Sequence, residues 1–272
     1  MNRERKTEMA GRLQTMFDTL KGRRAALIAY ATGFYPDRAG SELVMRALLE
    51  GGADALEIGI PFSDPVMDGP VIQGTSHAAL EAGATPAGIL DVVSSLRRDT
   101  QKPLLAMTYY NLVFRHGLER FAREGAVAGL DAVVIPDLPV EEMGPWKNAC
   151  DSAGIDTVAF CSVTTSPERI EAASAMTTGF LYCVALLGTT GVRDSLPEDL
   201  PAFLERVRSH ASRPVAVGLG ISRPEQCAKV GRLADGVIVG SAFMKVVAES
   251  DGDLSGLSEL VSSMAKALSA SA

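Results

Sequence analysis

The chain has 272 residues, of which 47% are hydrophobic, so it can bury a core the size of one α/β barrel or two small domains. Its net charge of −7 argues against a nucleic-acid-binding surface, because phosphate backbones are met by basic patches and none stands out here. The charged N-terminus lacks the apolar run of a signal peptide, and no segment approaches the roughly 18 apolar residues of a membrane span. These features predict a soluble, cytoplasmic protein.

An amphipathic segment precedes the first strongly apolar run. A helix is predicted over about residues 6–20, and we expect it to lie across the bottom of the fold in a packing role. The residues that share its apolar face are Met9, Leu13, Met16, Phe17 and Leu20.

Eight short runs rich in Val, Ile, Leu and Ala follow, each bounded by Gly, Pro or Asp and separated by helix-like stretches. They lie at residues 25–31, 55–60, 103–110, 132–137, 156–162, 180–186, 214–220 and 236–241. Continuous rather than alternating apolar character is typical of strands buried on both faces, and strand–helix alternation implies parallel crossovers. We therefore predict an α/β fold, a (β/α)8 TIM barrel forming a single domain over residues 1–272, with the barrel from about 25 to 268. A doubly wound sheet would need a G-x-G-x-x-G turn after an early strand, which is absent.

The four cysteines do not indicate a metal site. Cys161 and Cys183 lie within apolar runs, whereas Cys150 and Cys227 stand alone, so no CxxC or Cys/His spacing exists. We expect all four to be reduced and structural, and we predict no metal.

A single carboxylate, Glu57, interrupts the second apolar run. Because side chains alternate along a strand, Glu57 shares its face with the small residues Ala55 and Gly59, whereas the bulky residues of the run should meet the surrounding helices. That orientation turns Glu57 into the barrel interior near its upper end. None of the eight runs contains Lys, Arg or His, so a partner cation is not obvious, although Arg193 could reach in from a loop.

Two explanations are open for this buried acid. A structural glutamate would be paired with a neighbouring cation. An interior carboxylate without a cation would instead have a raised pKa, the state that a general acid or base needs near neutral pH. The runs also lack a lysine for Schiff-base chemistry, and no His or Cys cluster offers a metal electrophile, so carboxylate acid–base catalysis is favoured.

Two more acids, Asp64 and Asp68, follow Glu57 in a loop that three prolines restrict. Loop acids are most often solvated or capping groups, so the loop by itself leaves their role open. Farther along, glycine-bearing segments at 218–222 and 239–243 end the seventh and eighth runs, where barrels frequently bind phosphate through backbone N–H groups. The glycine turn at 187–191 is a third candidate, and the alternative is that these glycines only shape tight turns.

The segment LEIGIPFSDPVMDGPVIQ closely resembles the signature of the tryptophan synthase α chain family. Further matches occur in the family's order and spacing between about residues 13 and 245: LKGRRAALIAYATG, MTYYNLVFRHGLERF, VVIPDLPVEE, LGTTGVR, VGLGIS and GVIVGSAF. The resemblance implies retro-aldol cleavage of indole-3-glycerol phosphate to indole and glyceraldehyde 3-phosphate. The indolenine tautomer of the substrate would serve as the electron sink, so no cofactor is expected in this chain.

The resemblance also implies roles for individual residues. Glu57 would act as general acid–base, Asp68 would accept the indole N–H, and Thr190 would be the lid residue that orients Asp68. Expected substrate contacts are Tyr30, Ile72, Tyr109, Tyr182 and Leu219, and the expected phosphate cradle is Gly191, Gly220, Gly240 and Ser241. For Tyr109 and Tyr182, ordinary core packing is an equal alternative. Pro61 and Asp64 match positions near the contact with the β chain, the pyridoxal-phosphate subunit of an α2β2 heterotetramer that condenses indole with serine.

Several segments depart from the family pattern. These are TGFYPD after the first run, VALLG at the end of the sixth, CSVTTSPERI without the usual proline, and Leu219 in place of a common phenylalanine. They leave lid closure and coupling to a β chain open. Three alternatives therefore remain: a stand-alone lyase that releases free indole, a non-catalytic allosteric partner of a β chain, and another sugar-phosphate isomerase or epimerase. The last does not explain PFSDPVMDGP.

Overall fold

A computed structural model describes residues 11–184, 196–218 and 220–270 of the chain. Eight parallel strands in these residues form a closed barrel, in which each strand pairs with its neighbours in sequence and the first pairs with the last. The strands are β1 (Ala26–Thr32), β2 (Ala55–Gly59), β3 (Leu104–Met107), β4 (Ala132–Val134), β5 (Asp156–Ser162), β6 (Leu181–Val184), β7 (Val215–Gly218) and β8 (Gly236–Val239). The predicted (β/α)8 TIM barrel is confirmed, and each predicted run corresponds to one strand, with β1 ending one residue beyond its run.

Helices surround the barrel and close its lower end. Those within the described residues are α1 (Arg12–Leu20), α2 (Arg38–Glu50), α3 (Pro70–Glu81), α4 (Pro86–Arg97), α5 (Tyr110–His116), α6 (Leu118–Ala128), α7 (Met143–Ala153), α8 (Pro167–Met176), α9 (Leu200–His210), α10 (Pro224–Gly231), α11 (Ser241–Glu249) and α12 (Ser255–Ala270), with a 3-10 turn at Val140–Glu142. None of them is both long and apolar enough to cross a membrane.

Local sequence explains where several helices begin. Helix α4 starts after Thr85, whose hydroxyl accepts the N–H of Gly88 at 3.1 Å, and α8 starts after Ser166, which accepts the N–H of Arg169 at 3.4 Å. In both helices a proline occupies the first position, where the missing N–H would have no helical partner.

The N-terminal helix lies beneath the barrel, as expected. Leu13 and Phe17 of α1 are buried, and the Phe17 ring lies 5.8 Å from the ring of Phe180 at the base of β6. They join an apolar cluster that fills the lower lumen with Ala26, Ile28, Ala55, Leu105, Ala132, Val134, Val158, Phe180, Ala216 and Ile238. Met9 and the start of the predicted helix lie outside the described residues. Because the lower lumen is filled, a ligand in the barrel has room only at the upper end.

Three aspartates tie the lower ends of the strands together. Each immediately precedes an even-numbered strand and accepts, at 2.8 Å, a backbone N–H near the start of the strand before it; the pairs are Asp54 with Leu27, Asp131 with Leu104, and Asp235 with Val215. Asp131 is also held by Arg97 at 2.6 Å and by Arg12 at 3.1 Å, which fastens α1 to the barrel.

We expect Asp131→Ala to lower the free energy of unfolding by about 3 kcal/mol. The substitution removes an acceptor, 7% exposed, that is shared by two guanidinium groups and a backbone N–H, and leaves these donors without it. Asp235→Ala is the matched control, since this aspartate also caps a strand but its pair with Arg208 is 36% and 44% exposed. The control should lose about 1 kcal/mol, because exposed ion pairs contribute little. Urea denaturation measures both losses, and equal losses would contradict the prediction.

Candidate active site

Glu57 is buried inside the upper barrel. Its side chain lies in the lumen and is 1% exposed, and within the described residues neither carboxyl oxygen has a hydrogen-bond partner. Burial, reinforced by the nearby carboxyl of Asp68, raises the pKa of Glu57 to about 8. The expected inward position is therefore observed, and this carboxyl carries a proton at neutral pH. Arg193, the cation considered from the sequence, lies outside the described residues.

Asp68 is the second carboxyl of the upper barrel, and it is held from the loop that precedes α3. It is 5% exposed, and Tyr109 donates its hydroxyl to Asp68 Oδ2 at 3.1 Å. Burial raises the pKa of Asp68 to about 6, although the bond from Tyr109 opposes that rise. Asp68 is thus ionised at neutral pH while Glu57 is protonated, and two acids whose pKa values are driven apart suit separate roles.

Tyr109 organises the loop that carries Asp68. Its hydroxyl also accepts the backbone N–H of Met67 at 3.0 Å, and its ring stacks on Phe62 with centroids 5.1 Å apart. The residue is 3% exposed. The sequence left core packing and a contact in the site open for Tyr109. Its contacts show that Tyr109 packs and also positions Asp68.

Two other tyrosines place their hydroxyl groups against glycines on the adjacent strands. A Cβ on Gly59 would lie 2.1 Å from the hydroxyl oxygen of Tyr30, and a Cβ on Gly218 would lie 2.7 Å from that of Tyr182. Because no real side chain tolerates such distances, these glycines create the room for the hydroxyl groups. The ring of Tyr182 also stacks on Phe160, with centroids 4.6 Å apart.

These residues line one cavity at the C-terminal end of the barrel. It is bounded by Tyr30, Glu57, Asp68, Ile72, Met107, Tyr182, Gly218, Gly220, Ile238, Gly240 and Ser241. The predicted substrate and phosphate residues that the structure describes meet here, with Tyr109 behind Asp68. Thr190, Gly191 and Leu219 lie outside the described residues. Sequence reasoning missed Met107 and Ile238. Each lies on the inward-facing side of its strand, which the alternation of side chains along a strand could have identified.

The part of the cavity formed by Gly220, Gly240 and Ser241 is lined by backbone groups rather than by charged side chains. Gly220 has a φ of +72°, which favours glycine, and Gly240 is the residue before α11. Ser241 begins that helix and is buried. The first N–H groups of a helix have no helical acceptors and carry a partial positive charge, so this end can hold an anion. No group of three or more His, Cys, Asp or Glu side chains in the described part of the chain is arranged to hold a metal ion.

The two residues predicted to meet a partner chain differ in exposure. Asp64 is exposed and Pro61 is buried, and the contact of either residue with a partner stays a prediction. The structure adds two apolar residues that the sequence did not single out: Val66 is 67% exposed and Met67 is 41% exposed. Large apolar side chains exposed side by side are typical of interaction surfaces.

Tyr109→Phe tests the coupling between the tyrosine and the second acid. Losing the hydroxyl removes a bond that lowers the pKa of Asp68, so that pKa should rise above its present value of about 6. In the role expected from the sequence, Asp68 accepts a hydrogen bond and must be ionised, so the acidic limb of the kcat/KM profile should move upward by about one pH unit. Tyr110→Phe, on the adjacent residue, is the matched control and should leave the limb in place. An unmoved limb in Tyr109→Phe would contradict this role.

Comparisons with known proteins agree with this arrangement. The family model described as "Tryptophan synthase alpha chain" matches residues 16–270. The chain belongs to the tryptophan synthase alpha chain family. Named members include the alpha chain of Citrifermentans bemidjiense, 43% identical over 89% of this chain and 91% of that protein, and that of Streptomyces coelicolor, 41% identical over 92% and 93%.

Solved structures of the tryptophan synthase alpha chain family match along the same length. A chain of Mycobacterium tuberculosis tryptophan synthase superposes with a TM-score of 0.89 at 36% identity, covering 96% of this chain and 99% of that one. The alpha subunit from Legionella pneumophila gives 0.89 at 34% identity, with the same coverage. The predicted family and its carbon–carbon lyase class in tryptophan biosynthesis are thereby confirmed.

Proposed function

We propose that this chain cleaves indole-3-glycerol phosphate to indole and glyceraldehyde 3-phosphate, with Glu57 as general acid–base and Asp68 as hydrogen-bond acceptor for the indole N–H, and that it works as the α subunit of a tryptophan synthase. The observation that carries the proposal is the buried carboxyl of Glu57, which has no hydrogen-bond partner in the described part of the chain and whose pKa is raised to about 8, beside the ionised Asp68. Membership of the family supports the choice of substrate.

Glu57 makes both proton transfers, and Asp68 stabilises the charge that develops on the ring. Protonated Glu57 donates to indole C3 while the carboxylate of Asp68 accepts the indole N–H, which stabilises the positive charge that develops on the ring. The resulting Glu57 carboxylate then removes the proton of the glycerol hydroxyl next to the ring. The carbon–carbon bond breaks as that oxygen becomes the aldehyde carbonyl, and the bonding electrons return to the ring to give indole. Glu57 ends protonated, ready for another cycle.

The remaining lining residues place the substrate around this pair. The phosphate would bind at Gly220, Gly240 and Ser241, where backbone N–H groups and the N-terminal dipole of α11 replace a cationic side chain. The indole ring would lie among the apolar side chains of the cavity, which are those of Ile72, Met107 and Ile238 together with the rings of Tyr30 and Tyr182. Thr190, Gly191 and Leu219 remain assigned by family resemblance to lid, phosphate and ring contacts.

The loop that carries Asp68 would also meet the β chain. Asp64, Val66 and Met67 are exposed on it, within a few residues of the catalytic acid, so partner binding would act directly on the position of Asp68. We infer that pyridoxal phosphate belongs to that partner and that this chain needs no cofactor of its own.

Turnover of the purified chain with indole-3-glycerol phosphate, with and without a β chain, tests the proposal. We expect indole release that the partner stimulates. Val66→Glu should abolish the stimulation, whereas Leu43→Glu, at an exposed apolar residue of α2, should not. Full turnover without a partner would indicate a stand-alone lyase, and no turnover in either condition would leave only a binding role.

A further inference from the structure

A second cavity lies at the lower end of the barrel, opposite the catalytic one. It is bordered by the end of α1, by the segments that precede β1, β7 and β8, and by the last residue of α10. Its volume is about 630 Å³, which is within the range of small-molecule sites. The charged residues of its lining are five cations and two acids: Lys21, Arg23, Arg24, Arg208 and Arg213, with Asp18 and Asp235. In a chain whose net charge is −7, this is a local excess of positive charge.

Two of the five cations are paired with acids. Arg24 makes two bonds with Asp54, at 2.6 and 2.7 Å, and Arg208 lies 3.1 Å from Asp235. The other acid of the lining, Asp18, is exposed to solvent. Little negative charge is therefore left at the cavity for the remaining three cations.

The remaining cations are Lys21, Arg23 and Arg213, and no ion pair joins any of them to an acid in the described part of the chain. Burial raises the pKa of Asp156, and Arg213 lies close enough to oppose that rise, although the two side chains form no ion pair among the described residues. Lys21 and Arg23 are exposed and Arg213 is partly buried, so all three can reach a ligand in the cavity.

The backbone that carries these three cations is held in place. Between α1 and β1 the chain makes a tight turn, in which the N–H of Arg23 donates to the carbonyl oxygen of Leu20 at 2.9 Å. Gly22 has a φ of +72°, the conformation that such a turn requires of a glycine. On the other side of the cavity, the N–H of Ser212 donates to Ser174 Oγ at 2.9 Å, which fixes the backbone next to the third cation. The spacing of the cations is thus a property of the fold.

Cations that converge on one cavity repel each other, and a bound anion with several charges removes that repulsion. Arginine side chains suit phosphoryl groups in particular, because the planar guanidinium can donate two parallel hydrogen bonds to them.

We propose that this lower cavity is a binding site for a small soluble molecule with two adjacent phosphoryl groups, held by Lys21, Arg23 and Arg213. The site lies at the opposite end of the barrel from Glu57, so the proposal does not rest on the proposed function. A ligand here would join the turn after α1 to the segment before β7. Because it would bind only the folded chain, it would also stabilise the fold.

An NMR titration of the nitrogen-15-labelled chain with inorganic pyrophosphate, at constant ionic strength, tests the site. The amide signals of Gly22 and Ser212 should move in a saturable way and give one dissociation constant. The signals of Gly240 and Ser241 report binding at the catalytic end separately. Inorganic phosphate, which has one phosphoryl group, should bind the lower cavity at least about tenfold more weakly, because it can engage fewer of the cations.

Two variants separate specific binding from the effect of charge alone. Arg23→Gln combined with Arg213→Gln should weaken pyrophosphate binding at the lower cavity by at least about tenfold, because contacts to two charged donors are lost. Arg123→Gln, at an exposed arginine of α6, is the matched control and should leave the dissociation constant unchanged. Unchanged signals of Gly240 and Ser241 in the free proteins show that each variant keeps the fold.

Shifts that grow without saturation would indicate an adventitious ion only and would overturn the proposal. Unchanged affinity in the double variant, or an equal loss in Arg123→Gln, would overturn it as well. Since the titration needs no turnover, saturable binding at the lower cavity in a chain that does not cleave indole-3-glycerol phosphate would support this site and reject only the proposed function.

Discussion

Glu57→Gln is expected to lower kcat/KM by about 10²- to 10⁴-fold, the usual cost of losing a proton-transfer group. Glutamine has nearly the shape of the protonated carboxyl and carries no charge, so the buried position tolerates it and the fold should remain intact. It has no acidic proton to give to indole C3 and cannot become the base for the glycerol hydroxyl. Substrate affinity should change little, because the loss falls on the transition state.

Single-turnover measurements with saturating indole-3-glycerol phosphate separate this chemical step from binding. Glu50→Gln, at an exposed glutamate at the end of α2, is the control for the substitution itself and should retain full activity. Near-normal cleavage by Glu57→Gln would remove Glu57 from the catalytic role.

The same substitution is expected to stabilise the protein at neutral and alkaline pH. In the folded chain the pKa of Glu57 is raised from the ordinary value of 4.5 to about 8, so between these pH values the folded state holds a proton that the unfolded chain releases. The stability that Glu57 contributes is therefore greatest below pH 4.5, and it is lost as the pH rises toward about 8. The loss is about 1.4 kcal/mol per pH unit in this window, which gives on the order of 3 kcal/mol at neutral pH.

Glutamine does not titrate, so the stability of Glu57→Gln relative to the parent chain should increase with pH. Urea denaturation of both proteins at about pH 5 and about pH 8 measures that difference, and the contribution of Asp68 is common to both and cancels. A difference that stays constant or decreases between the two pH values would show that Glu57 titrates normally in the fold. If Glu57→Gln is more stable but less active than the parent chain, Glu57 lowers the stability of the protein at neutral pH while supplying its activity.

The strands could be predicted because both of their faces are buried, which makes their sequences continuously apolar. Their ends were predicted less well. The third run extends to residue 110, but β3 ends at Met107 and Tyr110 already begins α5. The fourth run extends to 137, but β4 ends at Val134. An apolar residue that lines the mouth of a barrel looks the same in sequence as one inside a strand.

Some features of the site could be predicted from the sequence and others could not. The inward orientation of Glu57 follows from alternation along one strand, a local property. The pairing of Tyr30 with Gly59 and of Tyr182 with Gly218 depends on which strands become neighbours and in which register, and the contact between Thr75 and Thr32 depends on how α3 packs on β1. Distances of this kind arise only from the closed barrel. The position of Pro61 near a partner stays a prediction, since this chain by itself shows only that the residue is buried.

The central claim is that Glu57 holds a proton in the resting protein at neutral pH. A carbon-13 NMR titration of the chain labelled at glutamate side-chain carboxyls measures this directly, with Glu57→Gln identifying the signal. A midpoint near pH 8 is the predicted result. A midpoint near the ordinary value of 4.5 would contradict it, because an already ionised Glu57 could not deliver a proton to the substrate.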